Sequence, residues 1–163
     1  MRHELDSNNS GAIGEQAESN FIITLVRHGY SIKRIRKARR DEERQHVDVV
    51  VDNTVKYEVK SMKRIRREGE QQDDFVWIEL TNWLGYQGWL FGSADKVAFE
   101  TAKGFLVVAL SELQYLISQR VKWITVDRPE DAVYKIYHQR KQAKVELTLV
   151  PRADIEAIAE GIL

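Results

Sequence analysis

The sequence contains no cysteine, 2 prolines and 9 glycines in 163 residues. Without cysteine it has no disulfides, no thiolate metal ligands and no cysteine nucleophile. No apolar run approaches the roughly 18 residues that a membrane-spanning helix needs. The N-terminal residues lack the basic start and apolar middle of a signal peptide. These absences predict a soluble, intracellular protein of the cytoplasm without a membrane partner.

The apolar content is sufficient for one hydrophobic core. Hydrophobic residues make up 43% of the sequence and include 4 tryptophans, and a chain of this length is typical of one domain. We therefore expect a single domain, with a core over about residues 12–121 and a C-terminal extension over about residues 122–163.

Charge is segregated along the chain although the formal net charge is zero. Residues 27–67 contain 14 of the 25 Lys and Arg but 6 of the 25 Asp and Glu, so this stretch carries +8 and the remainder −8. A basic region is the electrostatic footprint of phosphate binding, although a solvated surface gives the same pattern. The candidate nucleic-acid contacts form two groups: Lys33, Arg34, Arg36, Lys37, Arg39 and Arg40, then Lys63, Arg64, Arg66 and Arg67.

Periodicity and turn residues predict the order of the elements. They predict helices over about 12–28, 111–119 (capped by Ser111) and from Pro151 to near Gly161. They predict strands over about 30–35, 47–51, 55–62, 75–80, 94–100, 104–110, 132–139 and 143–150. The remaining stretches are expected to be a polar connection over 36–45, an exposed loop over 63–74, and a short helix with a turn over 81–94.

The most informative stretch is a predicted hairpin over residues 47–60. Its first strand is almost wholly β-branched, which suits a buried strand, yet Asp48 interrupts it at a cost unless something pairs with the carboxylate. In the second strand, alternation places Glu58 and Lys60 on the same side. Two carboxylates and an ammonium at one point suit a divalent cation with a water-activating group. Alternatively, Glu58 and Lys60 form a surface ion pair and Asp48 is a satisfied core carboxylate.

This arrangement resembles the PD-(D/E)XK nuclease superfamily over about residues 12–110. The matching residues are Asp48, the triplet Glu58-Val59-Lys60, and Glu15 in the preceding helix. The proline of the family name is absent, as in many members. The resemblance implies a restriction-endonuclease-like α/β fold, with a mixed central β-sheet flanked by helices. To this fold the chain would add a C-terminal β-hairpin and helix.

The resemblance also implies a mechanism. Asp48, Glu58 and the Val59 carbonyl would hold Mg²⁺, a hard cation that prefers oxygen ligands, and Mn²⁺ would substitute. Lys60 would orient or deprotonate the attacking water, and Glu15 would bind a second metal or orient water. The implied activity is hydrolysis of phosphodiester bonds by an endonuclease, in DNA above all, with RNA left open. Holliday-junction resolvases and compact phage-type nucleases have a similar build, and a catalytically inactive nucleic-acid-binding module is the alternative.

Two further features are less specific. The aromatic segment from Trp83 to Phe91 suits core packing or a homodimer contact, which we favour over stacking on unpaired bases. The four histidines show no metal-ligand spacing, and only His46 is of interest because it lies near Asp48.

Overall fold

The computed structural model describes residues 2–82, 84–139 and 144–163, with side chains from residue 11 onward. Trp83 and residue 143, which belong to predicted elements, lie outside the described residues. Within these ranges the chain forms two mixed β-sheets and four α-helices. The predicted α/β class is therefore confirmed.

The helices are α1 (Arg2–Arg27), α2 (Arg40–Glu43), α3 (Leu110–Arg120) and α4 (Arg152–Ile158). The strands are β1 (Ile35–Lys37), β2 (Val49–Val51), β3 (Val55–Lys60), β4 (Phe75–Thr81), β5 (Lys96–Thr101), β6 (Gly104–Ala109), β7 (Thr125–Val126), β8 (Ile136–His138), β9 (Glu146–Pro151) and β10 (Gly161–Ile162).

The first sheet has the strand order β1-β2-β3-β5-β6-β10. Its neighbours are antiparallel except β3 and β5, which are parallel. The turn between β2 and β3 has φ values of 55° at Asp52 and 54° at Asn53. A type I′ hairpin turn requires positive φ at both central positions, and Asp and Asn tolerate it. The predicted β2–β3 and β5–β6 hairpins are confirmed.

The second sheet has the order β4-β9-β8-β7 and joins distant parts of the chain. Strand β4 pairs antiparallel with β9, so that Val76 lies opposite Val150. Strand β10 returns to the first sheet and pairs with β6. Residues 122–163 therefore contribute strands to both sheets. They include an antiparallel β8–β9 pair and helix α4, as the predicted C-terminal hairpin and helix required.

The first sheet is covered on both faces. Phe21 of α1 packs on one face, with its ring centroid 5.1 Å from those of both Tyr57 and Phe105. The other face, which includes Val97 and Phe99, packs against the second sheet and α3. Burial of an aromatic or aliphatic side chain is worth about 1.5–3 kcal/mol, and packing of an apolar face supplies most of the stability of a helix in a protein.

Several local predictions differ from the structure. The strand predicted over 30–35 is wrong, because residues 32–34 form a 3₁₀ turn and the strand begins at Ile35. Ile32 is 59% exposed, so the alternation there did not reflect burial. The predicted Ser111 cap is wrong too, since α3 begins at Leu110 and its N-cap is Ala109, which makes no side-chain cap.

Candidate active site

The site begins at an irregularity in the pairing of β2 with β3. Val49 lies opposite Tyr57, yet the Asp48 N–H also donates to the Tyr57 carbonyl, at 2.8 Å. Two residues of one strand therefore face one residue of the other, as in a β-bulge. Bulges often re-aim a side chain beside an active site. Here Asp48 Oδ2 accepts a hydrogen bond from the Val59 N–H at 2.7 Å, in place of a backbone carbonyl.

Glu58 and Lys60 lie together on the face of β3 that is turned away from α1. Tyr57 and Val59 pack toward α1, so alternation directs Glu58 and Lys60 to the other layer. Lys60 Nζ forms an ion pair with Glu58 Oε1. Glu58 is 3% exposed, and its second oxygen, Oε2, is buried without a hydrogen-bond partner among the described residues. The predicted pairing on one side of the strand is confirmed.

The two carboxylates affect each other. Partial burial of Asp48, and then the negative charge of Glu58, raise the pKa of Asp48 to about 6, although the Val59 N–H and Lys60 oppose this shift. A raised carboxyl pKa indicates that the charged form lacks sufficient compensation. Because the N–H and the carbonyl of one strand residue point to the same neighbour, the Val59 carbonyl also faces this position. It points to the side of β3 on which Asp48 lies.

A short turn covers Lys60. The Lys60 ammonium lies 4.9 Å from the ring centroid of Trp89, within cation–π range. The turn is held tightly, because a Cβ at Gly88 would lie 2.3 Å from the Glu79 carbonyl oxygen and one at Gly92 would lie 2.7 Å from the His46 Cβ. Only glycine fits at these two positions.

His46 belongs to the surroundings of the site. Its φ of 59° is a strained value for a non-glycine residue. Burial, followed by the positive charge of Lys60, lowers its pKa. The imidazole therefore lies close enough to the Lys60 ammonium for the two charges to interact.

Among the described side chains of α1, the carboxylate whose pKa is affected by Asp48 belongs to Glu18. Burial and then the charge of Asp48 raise the pKa of Glu18, while Lys37, at 3.3 Å, opposes the shift. Glu15, the predicted residue, is exposed one helical turn earlier, and its charge acts on Glu18. The sequence contained a signal for Glu18, since it shares the helical stripe of Phe21 at i+3. A carboxylate on the buried stripe was overlooked.

Most basic residues of the first group have acidic partners within the chain. Arg36 binds Glu42 through both terminal nitrogens, at 2.7 and 2.9 Å. The other described pairs are Arg34 with Asp52, Lys37 with Glu18, and Arg39 with Glu42 and Asp41. Lys33 and Arg40 have no acidic partner in the part of the chain that the structure describes. They are the cations of this group best able to meet phosphate.

The second basic group lies on the 63–74 loop. Arg66 pairs with Glu130, and Arg64 donates to the Arg67 carbonyl at 3.3 Å. The pKa of Lys63 is lowered, first by desolvation and then by the charge of Lys60. Gln72 anchors the end of the loop through bonds to Lys63 and Phe75. Lys63 therefore lies close enough to Lys60 for the two charges to interact.

Two oxygen groups of the site have properties that a divalent cation would change. Glu58 has a buried oxygen without a partner, and Asp48 has a raised pKa beside it; a hard cation would relieve both conditions. Among the described residues, no three His, Cys, Asp or Glu side chains are grouped closely enough to ligate one ion. A metal would therefore take two carboxylates and the Val59 carbonyl, and its remaining positions would be left for water or substrate.

Comparison with family models, curated proteins and solved structures found no match. In the described ranges no helix has both the length and the apolarity to cross a membrane.

Proposed function

We propose that this protein is a metal-dependent nuclease that hydrolyses phosphodiester bonds in DNA, as a cytoplasmic endonuclease of the resolvase or phage type. The observation that carries the proposal is the convergence of Asp48, Glu58 and Lys60 at the β2–β3 bulge, with one buried Glu58 oxygen left unpartnered. Buried polar groups are normally satisfied, and exceptions often mark functional sites.

The proposed fold is restriction-endonuclease-like. In its support, helix α1 precedes the antiparallel β1-β2-β3 unit, and β5 lies parallel to β3 on the other side. The acidic residues lie on β3 and at the start of β2, at the end of the hairpin opposite its turn. This order agrees with the resemblance stated from the sequence.

Asp48, Glu58 and the Val59 carbonyl would hold Mg²⁺ or Mn²⁺. Such a cation supplies polarisation of a phosphate oxygen and a lower pKa for bound water. Lys60 would orient the attacking water and offset negative charge that develops on the phosphate. Its ion pair with Glu58 and its contact with Trp89 hold the ammonium in place. Glu18 would replace Glu15 as the helix carboxylate that faces the cluster.

A second candidate is a nucleic-acid-binding module without catalysis. It is favoured by one observation: the Glu58–Lys60 ion pair neutralises itself without a metal. In that case the site would be structural, and the basic residues alone would contact DNA or RNA. Buried ion pairs occur in proteins without catalytic roles, so activity has to separate the two candidates.

The test is a cleavage panel with single-stranded, duplex, flapped and four-way DNA, each in Mg²⁺, Mn²⁺ or EDTA. We expect metal-dependent cleavage by the wild type and its loss in Asp48→Asn, Glu58→Gln and Lys60→Ala. Glu112→Gln, an exposed carboxylate on α3, is the matched control and should cleave normally. Binding without cleavage in either metal would instead favour the inactive module.

A further inference from the structure

The turn that covers Lys60 also exposes aromatic rings. Within residues 84–91, here called the aromatic turn, Trp89 and Leu90 are buried, whereas Tyr86 is 70% and Phe91 47% exposed. Leu84 is exposed as well. Single exposed apolar residues need no explanation, but a group of them on one short segment marks an interaction site.

The backbone of the aromatic turn is fixed by hydrogen bonds. The Asn82 side-chain oxygen accepts from the N–H groups of Leu84 and Tyr86, at 3.0 and 3.1 Å. The Asn82 N–H donates to the Tyr86 carbonyl at 2.8 Å, and the Gly88 N–H donates to Leu80 at 2.9 Å. A backbone held in one conformation loses little entropy when a ligand binds, so the positions from which the rings project are preorganised.

One of the exposed rings, that of Phe91, belongs to the turn that contacts Lys60. Trp89 and Phe91 belong to the same 3₁₀ turn, and Trp89 contacts the Lys60 ammonium. Phe91 is thus two residues from the side chain that contacts Lys60, and its own ring is exposed where that of Trp89 is buried. A strand whose phosphate lay at Lys60 would pass this turn.

Lys144 contacts the aromatic turn at Gly85. A Cβ at Gly85 would lie 2.8 Å from the Lys144 Cδ, so the aliphatic part of Lys144 packs against the turn. Lysine stems commonly cover apolar surface while the ammonium stays in water. Exposed rings beside an ammonium fit a polyanion that carries aromatic bases. If a second copy of the chain covered these rings instead, a standard interface would bury about 800 Å² of surface on each partner, much of it apolar.

We propose that Tyr86 and Phe91 form a stacking surface for unpaired bases, so that the substrate of the site is DNA with a single-stranded segment next to the scissile bond. This inference rests on the proposed nuclease function, whose substrate class it names. Stacking on aromatic side chains accepts any base, because every base has a π-face. Double-stranded DNA keeps its bases stacked on each other and would not use this surface.

Binding without metal tests the inference. The 163-residue chain in EDTA is titrated with a single-stranded oligonucleotide that contains 2-aminopurine, and with a blunt duplex. The wild type should quench the fluorescence and bind the single strand more tightly than the duplex. Tyr86→Ala and Phe91→Ala should each weaken single-strand binding roughly 5- to 150-fold, because a stacked base contributes about 1–3 kcal/mol and 1.36 kcal/mol is tenfold.

Matched controls test whether the aromatic rings themselves cause the tighter binding. Tyr86→Phe and Phe91→Tyr keep an aromatic ring and should bind as the wild type does, and so should Tyr115→Ala, an exposed tyrosine on α3. Loss in either alanine variant on the single strand alone supports the inference. Unchanged binding in both variants, an equal loss on the duplex, or no preference of the wild type for the single strand overturns it.

Sedimentation velocity and the cleavage panel complete the test. A wild-type dimer that Phe91→Ala converts to monomer, with single-strand affinity unchanged, would show that a second copy covers the rings and would overturn the inference. Cleavage of duplex DNA without stacking would refute this inference alone. Stacking without cleavage in Mg²⁺ or Mn²⁺ would refute the nuclease function and leave the binding surface.

Discussion

Two buried glutamates of this protein are held in opposite ways. Glu42 is 7% exposed and accepts two bonds from Arg36 and one from the Arg39 N–H. These bonds lower its pKa to about 2. Glu58 is buried to a similar degree, but one of its oxygens has no described partner and the neighbouring Asp48 has a pKa raised to about 6. A carboxylate whose oxygens accept hydrogen bonds stabilises a fold. Two neighbouring carboxylates without enough partners repel each other, and a ligand that neutralises them relieves this repulsion.

The largest effect is expected for Lys60, and it tests whether the Lys60 ammonium acts in catalysis or only holds the structure. Lys60→Ala should lower the single-turnover rate by about 10²–10⁴-fold, the range for a positioned acid–base group, with far less effect on DNA affinity. Lys56→Ala, on the same strand β3, is the control and should leave the rate unchanged. Equal losses of rate and affinity would mean that Lys60 only attracts DNA.

Neutralising Asp48 and neutralising Glu42 should change the free energy of unfolding in opposite directions. Asp48→Asn should stabilise the metal-free protein at pH 7 by up to about 3 kcal/mol, since a pKa raised from 3.8 to about 6 penalises the charged form. This gain should shrink as the pH falls through 6 toward 3.8, because the wild-type carboxyl then takes up a proton in the folded state. Thermal melts from pH 7 to pH 4 provide the measurement.

Glu42→Gln should behave in the reverse manner. The stabilisation from Glu42 is present above its ordinary pKa of 4.5 and is lost as the pH falls through about 2. The variant should therefore melt below the wild type at pH 7, and the difference should diminish in acid. A higher melting temperature for Glu42→Gln, or a lower one for Asp48→Asn, would erase the distinction between the two carboxylates.

Stabilisation by metal should also differ between variants of Asp48 and of Glu42. Mg²⁺ at about a hundredfold excess over its dissociation constant should stabilise the wild type by about 2.7 kcal/mol, since it binds only the folded site. The rise should shrink in Asp48→Asn and persist in Glu42→Gln. Melts across a Mg²⁺ titration without DNA test this expectation. A wild type indifferent to Mg²⁺ and Mn²⁺ would argue against a preformed site.

The smallest effect concerns the basic stretch. Lys33→Gln and Arg40→Gln should each flatten the slope of log K against log salt on duplex DNA by about 0.9, the value for one phosphate contact. Arg36→Gln should change the slope less and lower the melting temperature more, because Arg36 is occupied by Glu42. Unchanged slopes for Lys33→Gln and Arg40→Gln would show that this surface is merely solvated.

Local patterns predicted the elements that local forces determine. The β-branched run before Asp52 and the alternation around Glu58 placed β2, its turn and β3 correctly. The strand β4 and the β5–β6 hairpin were also predicted within a few residues. In each case the signal lies within the element itself, as turn chemistry or as period-2 burial.

Long-range contacts could not be predicted in the same way. Nothing near Val76 specifies that its partner is Val150 rather than a strand of the first sheet. The choice between Glu15 and Glu18 depends on the rotation of α1 against the sheet, which packing decides. The bulge at Asp48 likewise follows from pairing geometry. Sequence therefore predicted which residues form the cluster on β3 but not which helix carboxylate faces it.

The pairing of β4 with β9 and of β6 with β10 also has a consequence for folding. Non-local pairing slows folding, because the ends of long loops must meet before their contacts form. During synthesis, both sheets remain incomplete until residues 146–162 have emerged. Until then the strand edges of β4 and β6 are open templates for other chains. We therefore expect aggregation during expression to depend more on the rate of completion of the C-terminal strands than on the stability of the finished protein.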